Sequence, residues 1–219
     1  MSVREGSGLL HAVAERIVVR YLEERYGGQV AVLDGSREGW LTAVDLSYTG
    51  GDGASPDIGV KVQADAYCGT DLEKAADRSL VFYRPASSSY AFETVSDNRT
   101  GVPGWMFRST AEELFYYRLA IAQPEDEVST LMSEPDAVFF SELAVERDEL
   151  DVLPMAATRE WLRANQDRYA SRPVAVGDHA SWVRLVPRRD VSSAVSGIRF
   201  EGPVFGSLGP TRRGDPRGA

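Results

Sequence analysis

Val60-Lys61-Val62-Gln63-Ala64-Asp65-Ala66-Tyr67 alternates apolar and polar residues, the signature of a strand with one face buried. Lys61, Gln63 and Asp65 therefore share a face. Lys61 draws attention because the chain has 24 basic residues and only Lys61 and Lys74 are lysines. A compact ammonium beside a carboxylate on one sheet face suits metal-dependent phosphodiester chemistry: the acid holds a cation and the lysine neutralises developing charge. The plainer alternative is an exposed cross-strand ion pair on a solvated face.

Outward from this strand the pattern gives alternating elements without repeats. Residues 9–26 predict a helix, with Leu10, Val13, Ile17 and Leu22 near helical spacing and Gly27-Gly28 as its stop. Residues 29–33 predict a strand, and residues 40–48 a second one that pairs with the Lys61 strand across a Gly- and Ser-rich loop at 50–56. A short helical piece falls at 72–78, and another strand at 90–95. Ser109-Thr110-Ala111-Glu112 matches a capping box, which predicts a helix from 109 to 122. Residues 124–134 are acidic and read as irregular, followed by a brief apolar stretch at 137–140. A strand at 150–153, a helix at 156–169 with Trp161 and Leu162 inward, a strand at 181–186 and a helical turn at 190–195 complete the reading. Residues 1–205 are expected to form one domain, and residues 206–219, rich in Gly, Pro and Arg, a disordered tail. The fold class is α/β (α+β), a mixed β-sheet flanked by helices.

Composition narrows the chemistry. At 219 residues and 43% hydrophobic the chain can bury one sizeable core. It has no run long enough for a membrane helix and no signal-peptide pattern at its start, so the expected location is cytoplasmic with no membrane partner. One cysteine and two histidines leave no material for a zinc cluster. A metal here would be an oxygen-ligated hard cation, Mg²⁺ or Mn²⁺. The net charge of −9 argues against general coating of nucleic acid, although arginines cluster locally and acids gather between Glu125 and Asp151.

The acids can be set against that layout. Asp45 lies on the second strand, Asp65 on the third, and Glu93 within the apolar Tyr90-Ala91-Phe92-Glu93-Thr94-Val95. A carboxylate inside so apolar a strand needs a cation partner unless the strand lies at an edge with one wet face. Glu15 shares the side of Ala12 and Val19 on the first helix and is a further candidate facing the sheet. Asn98 and Arg99, in the loop after the Glu93 strand, are placed to meet a phosphate. Trp105 either stacks on a base at the cleft mouth or plugs the end of the sheet.

This order of elements resembles the small restriction-endonuclease-like proteins of the PD-(D/E)xK nuclease superfamily. The features that carry it are a helix, a strand, a strand with Asp45, a strand with Lys61 and Asp65, a strand with Glu93, and then Pro103-Gly104-Trp105 before Glu113-Leu114-Phe115-Tyr116-Tyr117. Thr158-Arg159-Glu160-Trp161-Leu162 resembles the "LRxWL"-like helix of such proteins, and Trp182-Val183-Arg184-Leu185-Val186-Pro187 their closing strand. The resemblance spans residues 9–195. It implies a metal-dependent enzyme cleaving nucleic acid, foremost DNA, or a descendant that kept the fold as a non-catalytic scaffold. The implied roles are Asp45, Asp65 and Glu93 as ligands of Mg²⁺ or Mn²⁺ with Glu15 further out, Lys61 as charge-stabilising group, and Gln63, Asn98, Arg99 and Trp105 toward substrate. A homodimer is compatible with it. One departure matters: the family motif has an acid two residues before the lysine, and this chain has Gly59.

Overall fold

Helix α1 (Val3–Tyr26) carries Val13, Ala14, Ile17, Val18, Tyr21 and Leu22 on one stripe, and all six are buried. It ends where Gly27 adopts φ 65° and donates its amide to Glu23 O, a left-handed cap that glycine takes without steric cost. The structure, a computed structural model, describes residues 3–33, 36–49, 57–66, 88–176 and 179–208. Among these no helix is long and apolar enough to cross a membrane.

After α1 come β1 (Gln29–Val32), α2 (Arg37–Thr42), β2 (Leu46–Thr49), β3 (Ile58–Ala66), β4 (Ser89–Asp97) and β5 (Val102–Pro103). Then follow α3 (Trp105–Arg108), β6 (Glu113–Ile121), α4 (Glu125–Leu131), α5 (Asp136–Glu142), β7 (Val145–Pro154) and α6 (Met155–Asn165). The chain continues through β8 (Ser171–Val176), β9 (His179–Pro187), α7 (Arg188–Ser192) and β10 (Arg199–Gly202). A six-stranded sheet has the order β1-β2-β3-β6-β7-β10, antiparallel throughout except for the parallel β3–β6 pair. A four-stranded antiparallel sheet has the order β5-β4-β9-β8. The fold class is mixed α/β.

The two faces of the larger sheet enter two cores, which follows from the period of two along its strands. Val60 and Val62 of β3, with Phe115 and Tyr117 of β6, pack against α1, α4 and α5. Leu114 and Tyr116 face the other way, onto Tyr90 and Phe92 of β4 and the short helices α3, α6 and α7. Lys61, Gln63 and Asp65 point to this second side, toward the smaller sheet.

Several expectations are corrected. The helix expected at 109–122 is strand β6, the centre of the larger sheet. Every residue from Leu114 to Ala120 is buried, and a strand covered on both faces shows no alternation to read. Residues 37–42 form a helix, capped by Ser36 Oγ accepting from Gly39 N at 2.9 Å, so the second strand begins only at Leu46. The stretch at 124–134 holds α4, and the apolar stretch after it is α5. Strands β8 and β10 were not anticipated. Residues 206–208 belong to the folded body: a turn at Phe205–Ser207 leads to Leu208, which is buried in the first core. The helical piece at 72–78, the loop at 50–56 and the remaining tail lie outside the described residues.

Candidate functional site

Lys61 and Asp45 face each other across β3 and β2. The register pairs Leu46 with Val60, and the Asp45 amide donates to Val60 O at 3.0 Å, which sets Asp45 opposite Lys61. Lys61 Nζ donates to both carboxylate oxygens of Asp45, at 2.7 and 2.9 Å, and Val62 N donates to Oδ2 at 2.6 Å. Asp45 is 3% exposed, so this charge is compensated where it is buried.

Gly59, two residues before Lys61 on the same face, leaves a slot. Glu112 fills it: its Oε2 accepts from Gly59 N at 2.6 Å and lies 2.9 Å from where a Cβ on residue 59 would sit. The turn before β6 is held on several sides to deliver that carboxylate. Thr110 N donates to Thr42 O, Glu112 N to Gly59 O and Met155 N to Glu112 O, each at 2.9 Å. The Arg159 guanidinium donates to Met106 O at 3.0 Å and also to Ser109 O. Ser109 Oγ accepts from Ala111 N at 3.1 Å, a local turn bond rather than a helix cap. Lys61 and Asp45 thus meet on one face of β3, and the Glu112 carboxylate sits at Gly59, two residues before Lys61 and about 7 Å along the strand.

Asp65 lies two pleats beyond Lys61 and belongs to a different network. Tyr116 donates its hydroxyl to Asp65 Oδ2 and accepts from Ala91 N at 2.8 Å. Burial pushes the Asp65 carboxyl up to about 7, against the opposing pull of Arg118 and Gln63. Arg118, 1% exposed, lies 4.6 Å from the Tyr116 ring centroid and 5.1 Å from that of Tyr90. It donates to Asp151 Oδ2 at 3.0 Å, while Tyr90 donates to the same oxygen at 2.9 Å and Arg188 to Oδ1 at 2.7 Å. This is a satisfied buried charge network joining the two sheets.

The other candidates do not converge on Lys61. Glu93 sits on β4 of the smaller sheet, where Oε1 accepts from Ser96 Oγ at 2.5 Å and from Trp105 N at 3.1 Å. It anchors the start of α3. Glu15 lies 3.7 Å from His11 on α1, which packs on the opposite side of the larger sheet from Lys61. Trp105 is buried edge-on to Phe92 at 6.3 Å between centroids, the plugging alternative. Asn98 Oδ1 accepts from Ala180 N at 3.0 Å, tying the loop to β9, and Arg99 lies along Asp97. Gln63 donates to Ala64 O at 3.3 Å and also reaches Asp65. Among the described residues no group of three or more His, Cys, Asp or Glu converges to hold a metal ion. Glu112 carries no site signal in the sequence, because its position inside the Ser109–Glu112 capping-box pattern points to a helix end. Compared with known proteins, the chain matches no family model, no curated protein and no solved structure.

Proposed function

We propose that the protein is a metal-dependent nuclease of restriction-endonuclease-like type, in which Glu112 takes the place of the motif acid missing at Gly59. The observation that carries this reading is the Glu112 carboxylate in the Gly59 slot, on the face shared by Lys61 and its partner Asp45. The run of α1, β1, β2 and β3, with Asp45 immediately before β2 and Lys61 on β3, supports it as well. The proposed ligand set changes accordingly: Asp45 and Glu112, without Asp65, Glu93 or Glu15.

Two carboxylates are the donor type that Mg²⁺ or Mn²⁺ takes, because hard cations of this kind keep several waters and take further oxygens from substrate phosphates. Once bound, such an ion polarises a phosphoryl oxygen and activates water. Lys61 supplies positive charge where the phosphoryl oxygens gain negative charge, a task for a compact ammonium rather than a planar guanidinium. DNA is the first substrate to try.

A second reading has its own observation. Both oxygens of Asp45 already take hydrogen bonds from Lys61 and Val62, as they would in a binding scaffold that had lost its metal. The two readings separate in a cleavage assay of plasmid, single-stranded DNA and RNA with Mn²⁺, Mg²⁺ or EDTA. The nuclease reading expects metal-dependent cleavage of one of these, lost in Lys61→Met and Glu112→Gln and unchanged in Glu93→Gln. Absence of cleavage supports the scaffold, and cleavage that survives both substitutions removes Lys61 and Glu112 from the chemistry.

A further inference from the structure

Helix α6 carries one face from the core out to solvent. Met155, Arg159 and Arg163 recur every four residues on that face, and they pass from buried through half-buried to exposed. The first of them meets the candidate site, since Met155 N donates to Glu112 O at 2.9 Å. Arg159 and Arg163 follow at about 6 and 12 Å along the helix. Both guanidiniums therefore stand on the two turns that come after the contact with Glu112.

This pair of cations has no counter-charge. The Arg159 guanidinium donates from Nε to Met106 O at 3.0 Å and from Nη2 to Ser109 O, which fixes its plane. Arg163 lies over the Phe107 ring, 5.5 Å from its centroid. Among the described residues no carboxylate forms an ion pair with either one, although the chain carries a net charge of −9. Burial, and then the Arg163 charge, hold the Arg159 guanidinium below its ordinary range. Like charges at i and i+4 cost stability, and a helix C-terminus accounts for one cation in its last turn rather than two. Beside Arg163 a groove of about 310 Å³ opens along Val95, Pro103 and Phe107, and no acidic residue lines it.

We propose that Arg159 and Arg163 bind backbone phosphates of the nucleic-acid strand that enters the Lys61–Glu112 site, an inference that deepens the nuclease reading and rests on it. A guanidinium fixed in its plane by two carbonyls presents its remaining N–H groups to phosphate oxygens as a fork. Phosphates recur about every 3.4 Å of axis along each strand of a duplex, so the two cations span a few nucleotides. Contacts of this kind set the register and orientation of the strand without reading its sequence. An acidic protein segment is the competing anion, and the test separates the two.

The test is fluorescence anisotropy of the full-length protein, in EDTA and at several salt concentrations, with labelled duplex DNA, single-stranded DNA and RNA. Arg159 also holds the turn of Glu112, so the exposed Arg163 carries the comparison. For the probe that binds best, Arg163→Gln should weaken binding several-fold and reduce the slope of log K against log salt by about 0.7–0.9. Arg163→Lys, which keeps the charge, should retain the slope. Arg20→Gln, on α1 across the larger sheet, should bind like the wild type. No binding of any probe, an unchanged Arg163→Gln, or an equal loss in Arg20→Gln overturns the inference. Poly-glutamate of matched charge that displaces the probe as well as unlabelled nucleic acid overturns it in favour of an acidic protein partner. Because the assay holds no metal, absent cleavage with Mn²⁺ alongside the Arg163→Gln effect rejects the nuclease reading alone. Cleavage alongside an unchanged Arg163→Gln rejects this inference alone.

Discussion

The carboxylate of Glu112 occupies the place where a side chain on Gly59 would begin: it accepts the Gly59 amide hydrogen bond at 2.6 Å and lies 2.9 Å from the position of a Cβ there. Residues far apart in sequence are brought together by the parallel pairing of β3 with β6, which sets Val60 against Glu113. Glycine at position 59 leaves that space to another residue's carboxylate.

Gly59→Ala should therefore displace Glu112. The Cβ meets the end of a flexible side chain, so the strand survives, but the hydrogen bond from Gly59 N is lost and the domain should lose about 1 kcal/mol. That corresponds to roughly 2–4 °C in melting temperature for a chain of this size. Combined with Glu112→Ala the two losses should be less than additive. Simple additivity in the double-mutant cycle would mean the pair does not interact.

Asp65 gives a pH dependence of definite sign. Its folded-state carboxyl is pushed up to about 7 by burial, above its value in the unfolded chain. Between those two values the folded state holds more protons, so this group's contribution to stability falls as pH rises from about 4 to 7 and is flat above. Asp65→Asn should remove that fall. Because Asp65 keeps some exposed surface, the variant should gain on the order of 1–3 kcal/mol over the wild type between pH 4 and 8. Urea unfolding at several pH values measures it, and parallel curves for the two proteins would refute it.

The buried network predicts an order of effects. Asp151→Ala strands Arg118, 1% exposed, without its carboxylate, and should cost about 3–5 kcal/mol. Arg118→Met should cost less, because Asp151 keeps Arg188 and the Tyr90 hydroxyl. Denaturant midpoints in the reverse order would contradict the account.

Glu93 is predicted to be structural. Glu93→Gln preserves an acceptor for Ser96 and Trp105 and should change stability by less than about 1 kcal/mol, whereas Glu93→Ala should lose about 1–2 kcal/mol as the α3 anchor goes. Neither should alter any response to Mn²⁺. A cleavage or metal-binding defect confined to Glu93→Gln would return this residue to the site.

What was legible in the sequence follows from where each residue stands. The β3 alternation was readable because one face meets an apolar core while the other carries Lys61, Gln63 and Asp65, and α1 was readable because its stripe is one-sided. β6 was not, since Leu114 to Ala120 are buried on both faces, and the Ser109–Glu112 pattern offered a helix start that tertiary pairing overrode. Within the site, Lys61 could be found because it lies on an alternating strand, and Asp45 because it stands immediately before one. Glu112 could not, since nothing local to Ala111-Glu112-Glu113 says that a glycine on another strand has left a slot for it. Glu93 misled for the opposite reason: an acid in an apolar strand does need partners, and it has them in Ser96 Oγ and the Trp105 amide.

If Glu112 is the acid that Gly59 lacks, returning an acid to position 59 should replace it. Mn²⁺ binding, followed by electron paramagnetic resonance in the presence of a non-cleavable phosphorothioate duplex, is compared for wild type, Glu112→Ala and the double variant Gly59→Glu with Glu112→Ala. Wild type should bind Mn²⁺, Glu112→Ala should bind at least about tenfold more weakly, and the double variant should recover most of the loss. Mn²⁺ binding that is absent in the wild type, or unchanged by Glu112→Ala, would contradict this role of Glu112.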